Sequence, residues 1–157
     1  MGAAYSFVSE WRVPASPDRC WAVLERTLSP DGADVGGAGW WPGVSVPVPP
    51  ARLAVGEELT LSVRSPLGYR LRMRLRLTTL EPRQLLAAAS TGDLHGRGSV
   101  QLSAVGDGTT LVFTWDVETT SRWMNATVFV LRPVFERAHT AVMRAGELAL
   151  RRAASRP

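Results

Sequence analysis

The chain contains no lysine, a single cysteine, Cys20, and two histidines, His95 and His139. One cysteine excludes an internal disulfide, and one cysteine with two histidines is too few for the ligand clusters that hold zinc and related metals. Cys20 stands beside Trp21 on the apolar side of a short predicted helix, where packing explains it better than nucleophilic chemistry. We therefore expect no metal site and no other cofactor.

Long apolar runs are also missing. No stretch of the sequence approaches the roughly 20 apolar residues that a membrane-spanning helix needs. The first residues do not show the charged region and apolar region of a signal peptide. These two absences predict a cytoplasmic protein with no membrane span.

Because lysine is absent, all 18 basic residues are arginine, and with 14 acidic residues they give a formal net charge of +4. A basic protein can bind nucleic acid or an anionic membrane. Here Asp and Glu are interspersed among the arginines, and the exclusive use of arginine is typical of a GC-rich bacterial genome. We therefore expect no nucleic-acid partner, which would reveal itself by steeply salt-dependent binding.

The chain does have enough apolar material for one sizeable core. It is 157 residues long, with 45% hydrophobic and 20% charged residues, as in ordinary globular proteins. A chain of this length can bury a core or enclose a cavity. We predict a single domain over residues 1–154, followed by a tail at 155–157, and the sequence leaves the oligomeric state open.

The dominant pattern is an amphipathic helix over residues 121–154. With Phe135 as the reference and about 100° per residue, one side of the helical wheel is apolar and the opposite side is charged. Such a helix is about 45 Å long, and its apolar side must pack against the rest of the chain. Pro133 lacks an amide hydrogen and falls on the polar side, so we predict a bend with a break between Leu131 and Pro133.

Upstream of this helix, period-two alternation predicts an antiparallel meander. A first strand over residues 5–13 is followed by a short helix that Ser16 caps and Pro17 opens. Five strands joined by short turns follow between residues 58 and 118, and a short strand near 44–48 would make seven. The apolar positions of these strands share one nearly charge-free face. Polar residues alternate to the other face, among them the arginines and acids Arg70, Arg72, Arg74, Arg76, Asp116 and Glu118.

Residues 31–56 are rich in glycine and proline and surround Trp40 and Trp41. We expect at least one of these tryptophans to turn inward over apolar residues. Two interpretations stay open: a glycine-hinged lid over a pocket mouth, or a packed loop that uses Trp41 as a plug.

The order of these elements is the helix-grip arrangement, and the chain resembles the START-like, or SRPBCC, superfamily at this point. It is most similar to the bacterial polyketide cyclase/dehydrase-like members, and birch-pollen-allergen-type proteins belong to the same superfamily. Three local segments carry the likeness and together cover nearly the whole chain. They are Trp40-Trp41-Pro42-Gly43-Val44, the Gly92–Gly98 segment GDLHGRG, and the final-helix residues Met124-Asn125, Arg132-Pro133, Phe135, His139, Val142-Met143 and Gly146.

The resemblance implies an α+β fold in which a curved antiparallel sheet of about six to seven strands wraps round the C-terminal helix. An elongated cavity between sheet and helix would bind a hydrophobic or aromatic small molecule, polyketide-like or lipid-like. The resemblance does not imply a catalytic activity, because the superfamily contains carriers, sensors and enzymes. Members usually carry Trp-Asn before the histidine where this chain has Arg137-Ala138, so its ligand is expected to differ.

Two functions therefore remain open. A binding module would sequester a hydrophobic ligand in a cavity with one set of lining residues: Trp41, Tyr69, Leu71, Met73, Leu75, Trp115, Phe135, His139 and Met143. An aromatase/cyclase-type enzyme would use His139 as the acid or base and Arg132 to stabilise an enolate. The alternatives to these catalytic roles are a hydrogen-bonded structural role for His139 and a surface salt bridge for Arg132. The charge-poor inner face favours the binding module.

Overall fold

The computed structural model describes residues 2–29, 40–120 and 122–156. Within them lie seven strands and two helices, in the order β1 (Ala4–Val13), α1 (Pro17–Leu28), β2 (Val44–Val48), β3 (Glu58–Arg64), β4 (Arg70–Glu81), β5 (Leu85–Gly92), β6 (Leu94–Val105), β7 (Gly108–Thr119) and α2 (Arg122–Ser155). The predicted short helix and the short strand near residues 44–48 are both present.

The strands form one antiparallel sheet in the order β1-β7-β6-β5-β4-β3-β2. Short turns join β3 to β7 as a meander, and β1 closes one edge by pairing with β7 along its whole length. The sheet is curled into a half-barrel, and the long helix α2 lies in it. The predicted helix-grip fold is confirmed.

The core divides along the length of α2. Toward its C-terminal end, Leu150 and Ala154 pack with α1 and with Trp11 and Leu111 of the β1–β7 edge. Toward its N-terminal end, Phe135 packs in a second cluster that includes Tyr5, Met73, Leu94, Val117 and Met124. This second cluster and the middle of the helix surround the candidate site.

Helix α2 continues without interruption through Pro133, so the predicted break between Leu131 and Pro133 is wrong. Pro133 is exposed, as the helical wheel indicates, so the carbonyl that lacks its partner can bond to water. Leu131 and Phe135, on either side of the proline, both pack against the same cluster. We infer that this shared packing keeps the two halves in one helix.

The predicted division of the sheet into an apolar and a polar face is observed. Arg70, Arg72, Arg74 and Arg76 of β4 are all exposed, whereas Met73 and Leu77 on the alternate positions of the strand are buried. On β7, Asp116 accepts a hydrogen bond from the Ser6 hydroxyl at 2.5 Å on the outer face. Glu118 is exposed, and neither Asp116 nor Glu118 lines the cavity between sheet and helix, so the two do not form a catalytic pair there.

Candidate functional site

A cavity of about 280 Å³ lies between the concave face of the sheet and α2. Side chains from all seven strands, both helices and the segments before β2 and β4 line it. They include every residue predicted from the sequence to contact a ligand: Trp41, Tyr69, Leu71, Met73, Leu75, Trp115, Phe135, His139 and Met143. The structure brings these nine together in space, and their contact with a ligand remains a prediction.

Two simple periodicities position the lining. Leu71, Met73 and Leu75 alternate along β4, so all three face the same side of the sheet. On α2, Phe135, His139 and Met143 are spaced four residues apart and therefore fall on one stripe of the helix. The cavity is the space that remains where this stripe crosses the curled sheet.

Gly98 makes room for Trp115, which pairs with it across β6 and β7. A Cβ at position 98 would lie only 1.9 Å from two ring atoms of Trp115, so any other residue would displace the indole. This requirement explains the second glycine of the Gly96-Arg97-Gly98 segment in physical terms. The segment shapes one wall of the cavity.

Trp40 and Trp41 anchor the segment before β2 to both helices. The Trp41 indole donates a hydrogen bond to the Val142 carbonyl of α2 at 2.9 Å, and the Trp40 indole donates to the Thr27 hydroxyl of α1. Trp41 also packs edge-on against Trp11, with ring centroids 5.0 Å apart. This geometry favours the plug interpretation for Trp41, while Gly36, Gly37 and Gly39, the proposed hinge of a lid, lie outside the described residues.

His139 lies in the cavity wall with its ring stacked on Phe7. The ring centroids are 4.0 Å apart and the planes differ by 14°. Burial lowers the pKa of His139 from 6.5 to about 4, because the apolar surroundings disfavour the charged imidazolium. The imidazole is therefore neutral at pH 7. None of the hydrogen bonds among the described residues involves it, in contrast to the alternative of a hydrogen-bonded structural histidine.

Two tyrosines complete the titratable lining. The Tyr5 hydroxyl is buried without a hydrogen-bond partner among the described residues, and burial raises the pKa of Tyr5. Burial also raises the pKa of Tyr69, whose ring packs edge-on against Phe135. Both hydroxyls are therefore neutral near pH 7, as is His139.

Arg132, the predicted partner of His139, lies outside the cavity. Its guanidinium donates to the Ala4 carbonyl at 2.6 Å, pairs with Glu136 at 3.4 Å and covers the outer side of the Tyr5 ring at 4.8 Å. The side chain is 47% exposed. The surface salt bridge, the alternative that the sequence left open, is the arrangement observed.

Several lining residues were not among the predicted contacts. Phe7, Leu61 and Phe113 face the cavity from the sheet, Trp40 from the segment before β2, and Ala138 from α2. The alternation in β1, β3 and β7 already placed Phe7, Leu61 and Phe113 on the inner face. How far along its strand each would lie from the cavity depends on the curl of the sheet, which no local pattern reports.

The electrostatic character of the cavity is uniform. None of the described residues that line it is Asp, Glu or Arg, and no group of three or more potential metal ligands occurs among the described residues.

Among the described helices, none has the length and apolar character needed to cross a membrane. A curled sheet, a gripped helix and an apolar cavity between them define the class of fold.

Comparison with solved structures agrees with this fold. The chain is similar to the Zhui aromatase/cyclase from Streptomyces sp. R1128, with a TM-score of 0.72, 20% identity, and coverage of 98% of this chain and 95% of that one. The protein TTHA0849 from Thermus thermophilus has a TM-score of 0.70 at 16% identity, with 96% and 97% coverage. The di-domain ARO/CYC BexL matches with a TM-score of 0.69 at 16% identity, over 98% of this chain but 51% of its own.

No protein-family model matches the chain, and no curated protein matches its sequence significantly. At these identities the structural likeness establishes the fold alone. The resemblance to START-like proteins is thus confirmed at the level of architecture, with aromatase/cyclases among the solved structures that share it.

Proposed function

We propose that this protein binds a hydrophobic or aromatic small molecule in the cavity between the sheet and α2. The observation that carries the proposal is the apolar void of about 280 Å³. Protein interiors are close-packed, and voids larger than a water molecule are few. One water occupies about 30 Å³ in the liquid, so the cavity is large enough for a small organic compound.

The character of the walls supports the same function. Aromatic rings from β1, β7 and α2 and aliphatic side chains from β3 and β4 supply most of the surface, while polar groups are few. Ligand sites for small molecules have this composition, with a few polar groups that fix orientation. Water gains few hydrogen bonds in such a space, so replacing it by an apolar ligand is favourable.

A cavity-filling substitution tests the proposal. Ala138 is buried on α2 and lines the cavity, whereas Ala141, one turn further on, is exposed. We expect Ala138→Leu to reduce binding of a fluorescent apolar probe by at least about tenfold, and Ala141→Leu to leave it unchanged. Mass spectrometry of compounds that co-purify with the wild type should detect a ligand that is absent from Ala138→Leu. Equal binding by both variants would contradict the proposal.

A second candidate is an aromatase/cyclase-type enzyme acting in the same cavity. The specific observation that favours it is a neutral imidazole, His139, in the cavity wall, which is the form required of a general base. The structural similarity to the Zhui aromatase/cyclase supports the same direction. The position of Arg132 outside the cavity weighs against its role as an enolate stabiliser, which leaves the binding function better supported.

His139→Ala separates the two candidates. A binding protein should retain its affinity for an apolar ligand to within about tenfold. A cyclase should lose turnover of a polyketide-chain substrate by about a hundredfold or more, because a general base contributes about that much. Absence of turnover in the wild type, with retained ligand binding, would exclude the enzyme.

A further inference from the structure

We propose that the cavity selects uncharged ligands: an aromatic molecule whose polar group is a hydroxyl or carbonyl that hydrogen-bonds to His139, and not a carboxylate. This inference rests on the proposed binding function and specifies its ligand. It follows from which side chains reach the cavity and which do not.

The first step is the absence of a counter-charge. None of the described lining residues carries a formal charge near pH 7, since Asp, Glu and Arg are missing from them and His139, Tyr5 and Tyr69 are neutral. Moving a carboxylate from water into such surroundings costs several kcal/mol unless an opposite charge and hydrogen bonds compensate. A ligand anion would have neither here.

The second step is that the guanidinium of Arg132, which could otherwise compensate a ligand carboxylate, is already bonded to other groups. Arg132 bonds to the Ala4 carbonyl and to Glu136 and lies over the outer side of the Tyr5 ring. Tyr5 lines the cavity, and Arg132 does not. Arg132 could reach a buried carboxylate only by giving up these contacts.

The third step concerns His139, which lines the cavity together with several serine, threonine and tyrosine side chains. Phe7 stacks on the face of the His139 ring at 4.0 Å, so the ring is held by its face and its two nitrogens remain at the edge. A neutral imidazole has one N–H donor and one acceptor nitrogen. A phenolic hydroxyl can bond to either nitrogen, and a ketone can accept from the N–H.

His139 could compensate a carboxylate only by taking up a proton. The titratable groups that share the cavity with it are Tyr5 on β1 and Tyr69 before β4, and Phe7 covers its face. Neither tyrosine supplies a negative charge that would favour the imidazolium. Binding of an acid would therefore have to be accompanied by net proton uptake and would weaken steeply above neutral pH.

Three probes of nearly equal size test this: naphthol, naphthoate and naphthalene. Calorimetric titration at about pH 8 keeps naphthoate ionised and naphthol neutral. We expect naphthol to bind at least about a hundredfold more tightly than naphthoate. Comparable affinity for naphthoate at this pH would overturn the inference while leaving the binding function intact. If none of the three bound, the binding function itself would fail.

The role of His139 is tested by His139→Phe, which keeps an aromatic ring against Phe7 but removes both nitrogens. We expect the preference for naphthol over naphthalene to fall by about tenfold. Measurable naphthalene binding shows that the variant is folded and that its cavity still accepts a ring. An unchanged preference would overturn the assignment of His139 as the hydrogen-bonding group.

Discussion

At the scale of single residues, the site depends on polar groups that are buried without ordinary partners. His139 is held by stacking on Phe7 and is neutral because of burial. The Tyr5 hydroxyl is buried with no hydrogen bond among the described residues. A hydroxyl left in this state costs stability.

His139 should make the protein less stable as the pH falls from 7 to 5. Its pKa is about 4 in the folded protein, against the ordinary value of 6.5 that applies to the unfolded chain. Above 6.5 neither state is protonated. Below it the unfolded chain takes up a proton that the folded protein does not, so stability falls until the pH reaches the folded pKa. We expect urea unfolding at the two pH values to show a loss about 1–2 kcal/mol larger than in His139→Phe.

The comparison with His139→Phe cancels the contribution of every group that is present in both proteins. No described charged side chain lines the cavity around His139, and the two tyrosines that do are neutral over this range. An identical pH dependence in both proteins would mean that His139 is not desolvated in solution.

Tyr5→Phe should stabilise the ligand-free protein. The substitution removes a buried hydroxyl that has no partner among the described residues and keeps the ring, so Arg132 retains its cation–π contact. We expect the free energy of unfolding to rise by about 1–2 kcal/mol in denaturant titrations. Tyr69→Phe is the control, because the Tyr69 hydroxyl is not one of the buried side-chain groups without a partner, so its loss should not stabilise. A destabilised Tyr5→Phe would show that the hydroxyl is satisfied in solution.

At the scale of elements, helix α2 is fixed by contacts that need a glycine. A Cβ at Gly146 would lie 2.5 Å from the Trp41 indole and 2.6 Å from the Trp11 ring. These large rings belong to the segment before β2 and to β1, so Gly146 is the point where α2, that segment and the sheet edge meet. The Trp41 hydrogen bond to Val142 lies one turn away.

Gly146→Ala should therefore destabilise the protein by about 1–3 kcal/mol, as expected for overpacking. Alanine has the higher helix propensity by about 1 kcal/mol, so a loss would have to come from the contact. The same substitution in a Trp41→Leu background should cost less, and the difference between the two measures the coupling. Stabilisation by Gly146→Ala would contradict the close packing of the indole.

Pro133→Ala tests whether the proline constrains α2. Alanine would restore the amide hydrogen and relieve the crowding of the preceding turn, so we expect stabilisation of about 1–3 kcal/mol. The side chain is exposed, which excludes a compensating loss of core packing. Arg137→Ala, an exposed position on the same helix, is the control and should change stability by less than about 0.5 kcal/mol. Destabilisation would mean that α2 must bend at Pro133 to dock.

At the scale of the whole molecule, access of a ligand to the cavity depends on how firmly the segment before β2 is held. The segment before β2 is tied to both helices through its two tryptophans. Its backbone is also tied to β3, because the Arg64 amide donates to the Gly43 carbonyl at 2.7 Å. These contacts favour the interpretation of this segment as a packed plug.

Hydrogen exchange distinguishes a plug from a lid. For a plug, we expect the amides of residues 40–48 to be protected already in the free protein and to change by less than about threefold with a bound apolar probe. The central pair β6–β7 provides the internal reference. Strong protection that appears only with the probe would favour a lid over the mouth of the cavity.

Much of this architecture is contained in local patterns. Alternation along β1, β4 and β7 separates inward apolar residues from outward arginines and acids, because a strand presents successive side chains to opposite faces. The stripe on α2 and the cap at Ser16 follow from helical periodicity in the same way. Eight of the nine predicted lining residues follow from these patterns, because the inner face of a strongly curled sheet and the apolar stripe of the helix that it surrounds point toward each other. Trp41, in the segment before β2, lies in no regular element.

Local patterns could not determine which polar side chains of α2 face the cavity and which lie outside it. Arg132 and His139 both lie at the edge of its apolar stripe, yet His139 faces the cavity and Arg132 faces the Ala4 carbonyl and Glu136 outside it. The difference depends on where the helix crosses the edge strand β1. The uninterrupted passage through Pro133 is likewise decided by tertiary packing on both sides of the proline.

The sequence by itself thus determined the elements and their buried faces, since these depend on neighbours a few residues away. The tertiary structure decided which polar groups enter the cavity, since that depends on contacts between residues more than a hundred positions apart.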